Sequence, residues 1–361
     1  MKKILGVTLA AAALCAAPAF AATPFGEYAS LSGFGTLGAV TSDNSTDAFV
    51  RDGAPTGAKG KPSWNVDSKL GVQLDAKAND WLSATVQVLA EQRYTPEVSA
   101  KFEWAFVKIK PVDGLNIRVG RTAPAMFMVS DSRNVGFANT WVRPPNEVYS
   151  LAGMKNLTGV DASYRLELAG TSLTLAVLAG NSQFDNVNSH LQVKKMRGLN
   201  LVWDSDYGSF RLGRVIADVH VPGFGPGGSE VVDGYTFTGL GYQFDNGDWV
   251  VGAEHVERAA DFFAPQVNSK GWYVMGGRRF DSVLPYVSAA GTKNQSAMNV
   301  LNGEQSTYAL GLRWDAQSGV AVKAQFEHAD PKGTMGVSFA PLVGAVRSKT
   351  NALSLVVDFV F

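Results

Sequence analysis

Apolar and polar residues alternate with a period of two along much of this chain. In residues 351–361, NALSLVVDFVF, Leu353, Leu355, Val357, Phe359 and Phe361 share one parity, and Ala352, Ser354, Val356, Asp358 and Val360 share the other. Successive side chains of a β-strand point to opposite sides, so the segment predicts a strand with one apolar face and one that carries a charge. Such a strand fits lipid on one side and water on the other, or the core of an ordinary sandwich; taken alone it fits both.

Its neighbours separate the two. In WNVDSKLGVQLDA, Val66, Leu70, Val72 and Leu74 oppose Asp67, Lys69, Gln73 and Asp75. In VDASYRLELAG, Val160, Ala162, Tyr164, Leu166 and Leu168 oppose Asp161, Ser163, Arg165 and Glu167. In STYALGLRWDA, Tyr308, Leu310, Leu312 and Trp314 oppose Thr307, Ala309, Gly311, Arg313 and Asp315, and in GVAVKAQFE, Val320, Val322, Ala324 and Phe326 oppose Ala321, Lys323, Gln325 and Glu327. These charged faces are too many for one dry core, and aromatics gather near strand ends as at a membrane interface. The pattern predicts a barrel with its apolar side outward. In SFRLGRVIADVHV strict alternation puts Arg214 with Phe210 and Leu212, so a bulge is expected near Gly213.

Short polar turns are expected at 78–80, 111–114, 169–171, 205–208, 245–247, 281–283 and 317–319. Longer stretches rich in Gly, Pro, Ser and Asn lie at 41–63, 92–100, 121–155, 181–196, 221–232, 259–269, 293–304 and 330–348. Seven short turns alternating with eight long loops require sixteen strands, with both chain ends on the short-turn side. The predicted fold is all-β: a 16-stranded antiparallel transmembrane β-barrel over residues 22–361, of a size that leaves a water-filled bore.

Residues 1–21 read as a cleaved signal peptide: Lys2 and Lys3, the apolar run ILGVTLAAAALCAAPAF, then Ala19-Phe20-Ala21. Cys15, the sole cysteine, lies inside it and follows Leu14, not the small residue of a lipoprotein signal, so no lipid anchor and no disulfide are expected. An exported chain without disulfides relies on a large core, a barrel closure or a membrane. Basic and acidic residues number 32 each, and losing two lysines leaves the remainder near minus two, which argues against nucleic acid as a partner. No later apolar run approaches the roughly 18 residues of a membrane helix. The 38 Gly, with 20 Phe, 10 Tyr and 8 Trp, suit a large β protein.

The third long loop, Arg121 to Lys155, exceeds ordinary hairpin connections, and loops of that length are functional or disordered. Its apolar residues Met126, Phe127, Met128, Val129, Phe137, Trp141, Val148, Tyr149 and Leu151 argue for order and need burial, for which the inside wall of its own barrel is available. Arg121, Arg133, Arg143 and Lys155 outnumber Asp131 and Glu147 within it. Arg118 and Arg165 on adjoining strands, the first inward if Ile117 and Val119 face lipid, stand against Asp161 and Glu167. Charge at the narrowest ring of a pore sets its ion preference, so this excess of base predicts a modest preference for anions. Equally, Arg133 with Asp131 and Arg143 with Glu147 are internal pairs that only fix the loop, because buried charges are usually paired.

The blocks SGFGTLGAV, SKLGVQLDAKANDWLSATVQV, VGRTAPAMFMVSDSRNVGFANTWVRPPNEVYS and LVVDFVF resemble those of Gram-negative outer-membrane porins, in which the third loop folds into the bore and narrows it. The likeness covers the signal peptide, the strand count, the place of the long loop and the terminal Phe361; the loop lacks the PEFGG-type stretch of enterobacterial general porins. The resemblance implies passive diffusion of small hydrophilic solutes through a homotrimer set among outer-membrane lipid and lipopolysaccharide. It makes Phe361 the terminal aromatic that the assembly machinery reads, and implies neither cofactor nor catalysis.

The alternative is an outer-membrane enzyme or adhesin with a blocked lumen. Asp218 and His220 share a strand face, but no nucleophile motif accompanies them or His190, His255 and His328, and His220 reads as a rim residue. No Cys/His spacing fits zinc and no loop fits calcium; Asp43, Asp47 and Asp52 read as a solvated acidic loop. Gly33, Gly35 and Gly38 leave room for a backbone inside, a subunit outside or a bend.

Overall fold

Period-two alternation becomes a single closed sheet. The computed structural model describes residues 23–24, 26–52, 54–93, 95–186, 189–223, 225–260, 268–296, 301–333, 336–340 and 348–361, so the expected signal peptide lies outside the described residues. The barrel strands are β1 (Ala29–Ser42), β2 (Lys69–Lys77), β3 (Leu82–Gln92), β4 (Val98–Ile109), β5 (Leu115–Thr122), β6 (Leu157–Leu168), β7 (Thr171–Asn186) and β8 (Ser189–Ser205). They continue as β9 (Gly208–Val221), β10 (Val231–Asp245), β11 (Trp249–Ala260), β12 (Asn268–Arg278), β13 (Val283–Gln295), β14 (Gly303–Gln317), β15 (Val320–Gly333) and β16 (Thr350–Val360).

Each strand pairs antiparallel with the next, and β16 returns to β1 with Val356 opposite Gly38, so no edge is left to template aggregation. The short turns are tight; at Ala169-Gly170 both residues have positive φ, 44° and 86°, the twist that a two-residue hairpin needs. At the long-loop end a two-residue strand in the first loop, Ala48–Phe49, pairs with Phe339–Ala340 of the last loop.

Outside and inside are reversed relative to a soluble protein. On β14, Tyr308, Leu310, Leu312 and Trp314 are exposed while Gln305 and Thr307 are buried; on β15, Phe326 is exposed and Lys323 is fully buried. Trp81, Tyr207, Trp249, Phe280 and Trp314 stand exposed near the short turns, where a girdle of amphipathic rings meets a lipid interface. Gly33 and Gly35 are explained within the chain: the rings of Phe361 and Phe359 occupy the space that a Cβ on each would need.

Three expectations are corrected. No bulge occurs at Gly213: β9 stays in register with β8 and β10 through that residue, and Arg214 is exposed on the same face as Phe210, Leu212 and Ile216. Residues 181–196 are not a loop, because β7 and β8 pair as far as Asn186 and Ser189, with the irregularity displaced to 194–197. Nor is the inner face charged on every strand. On β9 the inward residues Val215, Ala217, Val219 and Val221 are apolar and buried, while Arg214, Asp218 and His220 stand on the outer face, so here the expected distribution of charge is reversed.

Candidate functional site

The inward apolar residues of β9–β13 acquire a partner from the segment between β5 and β6. Met126, Phe127, Val129, Trp141, Val148, Tyr149, Leu151 and Met154 form one buried cluster with Val215, Phe237, Val256, Tyr273, Met275, Leu284 and Tyr286 of the wall. Phe127 stacks on Tyr149 with ring centroids 4.5 Å apart and meets Phe237 edge-on at 5.3 Å; Trp141 meets Tyr273 edge-on at 5.3 Å. Aromatic pairs in these geometries add to what burial alone contributes.

Polar bonds fix the segment's register. Glu254 of β11 accepts hydrogen bonds from the Met128 amide at 2.9 Å, from Tyr273 at 3.1 Å and from Tyr149. Lys323 of β15 donates to the carbonyls of Gly136 and Asn139, each at 2.7 Å, and Trp141 at 3.1 Å, and pairs with Asp358 of β16 at 2.8 Å. Arg313 of β14 donates to the carbonyls of Phe137 and Asn139 at 2.8 and 2.7 Å. The carbonyls of Phe137, Asn139 and Trp141 are thereby satisfied by two wall cations, and that of Gly136, which also accepts the Asn139 amide, gains a second donor.

The loop cations find acids, though not those expected from their spacing. Arg143 pairs with Asp67 at 2.6 Å and with Glu327, while Glu147 accepts from Gln305 at 2.6 Å and from Thr307. Arg133 pairs with Asp52 at 2.9 Å, and Lys155 with the same carboxylate; Asp131 instead faces Arg118 at 3.8 Å. The internal pairs Arg133 with Asp131 and Arg143 with Glu147 are thus replaced by pairs to the first loop and to β15, which lie nearer to these side chains in space.

Burial works to raise the Asp52 carboxyl, but Lys155 and Arg133 overcome it and hold it below the usual range. Asp67 behaves alike beside Arg143, whose own pKa is raised by Asp67 and Glu327 against its burial. Burial pushes Glu147 up, and lowers Lys155 to about 8 despite Asp52.

A different surface faces inward on β2–β6. Arg118 bridges Asp161 at 2.7 Å and Asp131, whose side chain is 62 % exposed. Arg165 pairs with Glu167 at 2.6 Å and lies 3.4 Å from Asp204; Asp75 accepts from Gln73 and Thr85 at 2.7 and 2.6 Å. Arg121, at the end of β5, keeps a buried Nε without a partner among the described residues.

Spacing did not single out Lys108, which sits opposite Arg118 in register and opposite Ser83 on β3. It makes no ion pair with a described residue and, with Lys110, Asp75 and Thr85, lines a hollow of about 440 Å³ at the short-turn end. Inward parity on β4 could have found it. His220 lies on the outer face and meets Glu230 at 2.8 Å, and His255 meets Glu257 at 3.3 Å. Among the described residues no group of three His, Cys, Asp or Glu is placed to hold a metal.

Closure, strand count and an outward apolar face define the class: a sixteen-stranded barrel of the porin fold. No family model matches the chain, and no curated protein matches it either. Among solved structures it is similar to OmpF of Salmonella typhi in complex with daunomycin, at 13 % identity over 92 % of this chain and 97 % of that one, TM-score 0.61. It is similar to the anion-selective porin of Comamonas acidovorans, at 13 % identity over 92 % and 100 %, TM-score 0.58. The outer membrane channel DcaP of Acinetobacter baumannii aligns at 11 % identity over 95 % and 100 %, TM-score 0.59.

Proposed function

We propose that this protein is an outer-membrane channel for passive diffusion of small hydrophilic solutes, narrowed by residues 123–156 folded into its lumen. One observation carries the reading: that segment bonds to inward residues of β9, β11 and β14–β16, while the charged inner wall of β2–β6 receives only Asp131, on Arg118, and Asn134, on Glu103, from it. A barrel of this strand number has room for both loop and water. In this reading Phe361 is the assembly signal and the protein forms a homotrimer, as the resemblance implies.

Selectivity in this reading is weak, with at most a modest preference for anions. The loop's excess of base is absorbed by Asp52, Asp67 and Glu327, and what remains in its favour on the open side is Lys108 and Lys110. Reconstitution in planar bilayers under a salt gradient tests both statements. Stepwise conductance with a reversal potential on the anion side is expected; silence in the bilayer would favour a blocked lumen, and cation preference would remove the anion statement alone.

A further inference from the structure

Regular pairing of β9 leaves Arg214 on the outward face, between Leu212 and Ile216 along its strand and opposite Leu199 and Thr238 on the strands beside it. Gly208 to Arg214 is six residues, which at ~3.3 Å per residue and ~45° of tilt lifts it about 14 Å above the short turns, inside an apolar band about 25 Å tall. A guanidinium facing lipid at that depth is costly and calls for a counter-charge. The acids nearby are taken: Asp218 by Lys195 at 2.8 Å, and Glu257, in the same cross-strand row beyond Thr238, by Lys270 at 2.9 Å.

Arg197 of β8, opposite Ile216 and diagonal to Arg214, is also exposed and outward. Neither guanidinium makes a hydrogen bond or ion pair with a described residue. Both stand above an exposed apolar surface formed by Leu199, Leu201, Trp203, Phe210 and Leu212. Arg197 lies on the long-loop side of Arg214, the direction in which a long arginine stem would snorkel toward the nearer interface.

We propose that Arg197 and Arg214 form a site for the phosphate of a lipid head group in the leaflet on the long-loop side, with the acyl chains lying along the apolar surface below. Two guanidinium forks match the oxygens of one phosphate by charge-assisted hydrogen bonds, and the lipid adds counter-charge to a pair whose acidic neighbour, Asp218 beside Arg197, is already bonded to Lys195. The site rests on the membrane placement in the proposed function and not on conduction.

The test is native mass spectrometry of the detergent-purified protein mixed with lipid A carrying its phosphates or with the same lipid dephosphorylated. The wild type is expected to retain the phosphorylated lipid about tenfold better, a difference of about 1.4 kcal/mol. Arg197→Gln with Arg214→Gln removes that preference, and the paired Lys substitutions keep part of it. Equal retention of the two lipids by the wild type overturns the site without needing any variant to fold. So does an unchanged preference in the double Gln variant, or displacement of the lipid by inorganic phosphate alone. A lost oligomer mass with unchanged lipid retention in Arg214→Gln assigns the arginine to a second copy of the chain instead. A protein that stays in solution without detergent would sink the membrane placement itself, a separate outcome.

Discussion

The inner faces of β9–β13 and of β2–β6 follow the same period of two, yet the first presents Val215, Phe237, Val256 and Tyr273, and the second Asp75, Lys108, Arg118 and Asp161. Inward apolar side chains need an apolar partner that a water-filled bore does not provide; the partner here is a stretch of the chain itself. Around Arg118, Asp161 and Arg165 the segment contributes little, and the charges pair mainly along the wall. On the proposed reading, narrowing a channel needs no special strand, only an unequal distribution of side chains around one sheet.

The largest blow to the covered half is Arg143→Met. It leaves Asp67 and Glu327 buried without their cation, and breaking a buried pair from one side costs about 3–5 kcal/mol. The expected result is a lower unfolding temperature in detergent and noisier, larger single-channel currents. Unchanged currents would mean that the loop does not border the conducting path.

Lys155 gives a graded test of the same half. Its folded-state pKa of about 8 lies below the ordinary lysine value, so the folded state binds fewer protons than the unfolded one between those values. Stability therefore rises with pH from about 8 toward the ordinary lysine range, and the penalty of the buried cation is present in full below 8. Facing it are Asp52, Arg93, Arg133 and Glu91. Urea unfolding as a function of pH is expected to show this slope in the wild type and a shallower one in Lys155→Met, where Lys69 remains buried; an identical slope in both would assign it wholly elsewhere.

On the open half, Lys108→Glu is expected to change stability by less than about 0.5 kcal/mol, because the lysine has no ion-pair partner to strand. It should nevertheless move the reversal potential toward cations, more at low salt than at high, since the screening length shrinks from ~30 Å at 0.01 M to ~3 Å at 1 M. A fixed reversal potential would place Lys108 off the ion path.

Strand number and the outward face of β14 and β16 were legible in the sequence because alternation and turn spacing are local. The segment around Arg143 was recognisable as needing burial, but its partners were not: Asp67 and Glu327 lie far away along the chain, and pairing by proximity in sequence chose Glu147 instead. Arg214 was read by assuming that lipid-facing rows are free of charge, and the expected bulge followed from that assumption. The backbone kept its ladder instead, since a bulge would have disrupted the pairing on both sides of β9.

One feature at the long-loop end bears on mechanical strength. The seam between β16 and β1 joins the most distant parts of the chain, as Thr36 meets Asp358, and so closes the longest loop of any strand pair in the barrel. Ala48–Phe49 and Phe339–Ala340 belong to the loops that leave these two sides, so their pairing ties across the gap like a stitch. Lateral opening must break that stitch as well as the ladder, and a force applied from the loop end meets the tie before it reaches the wall.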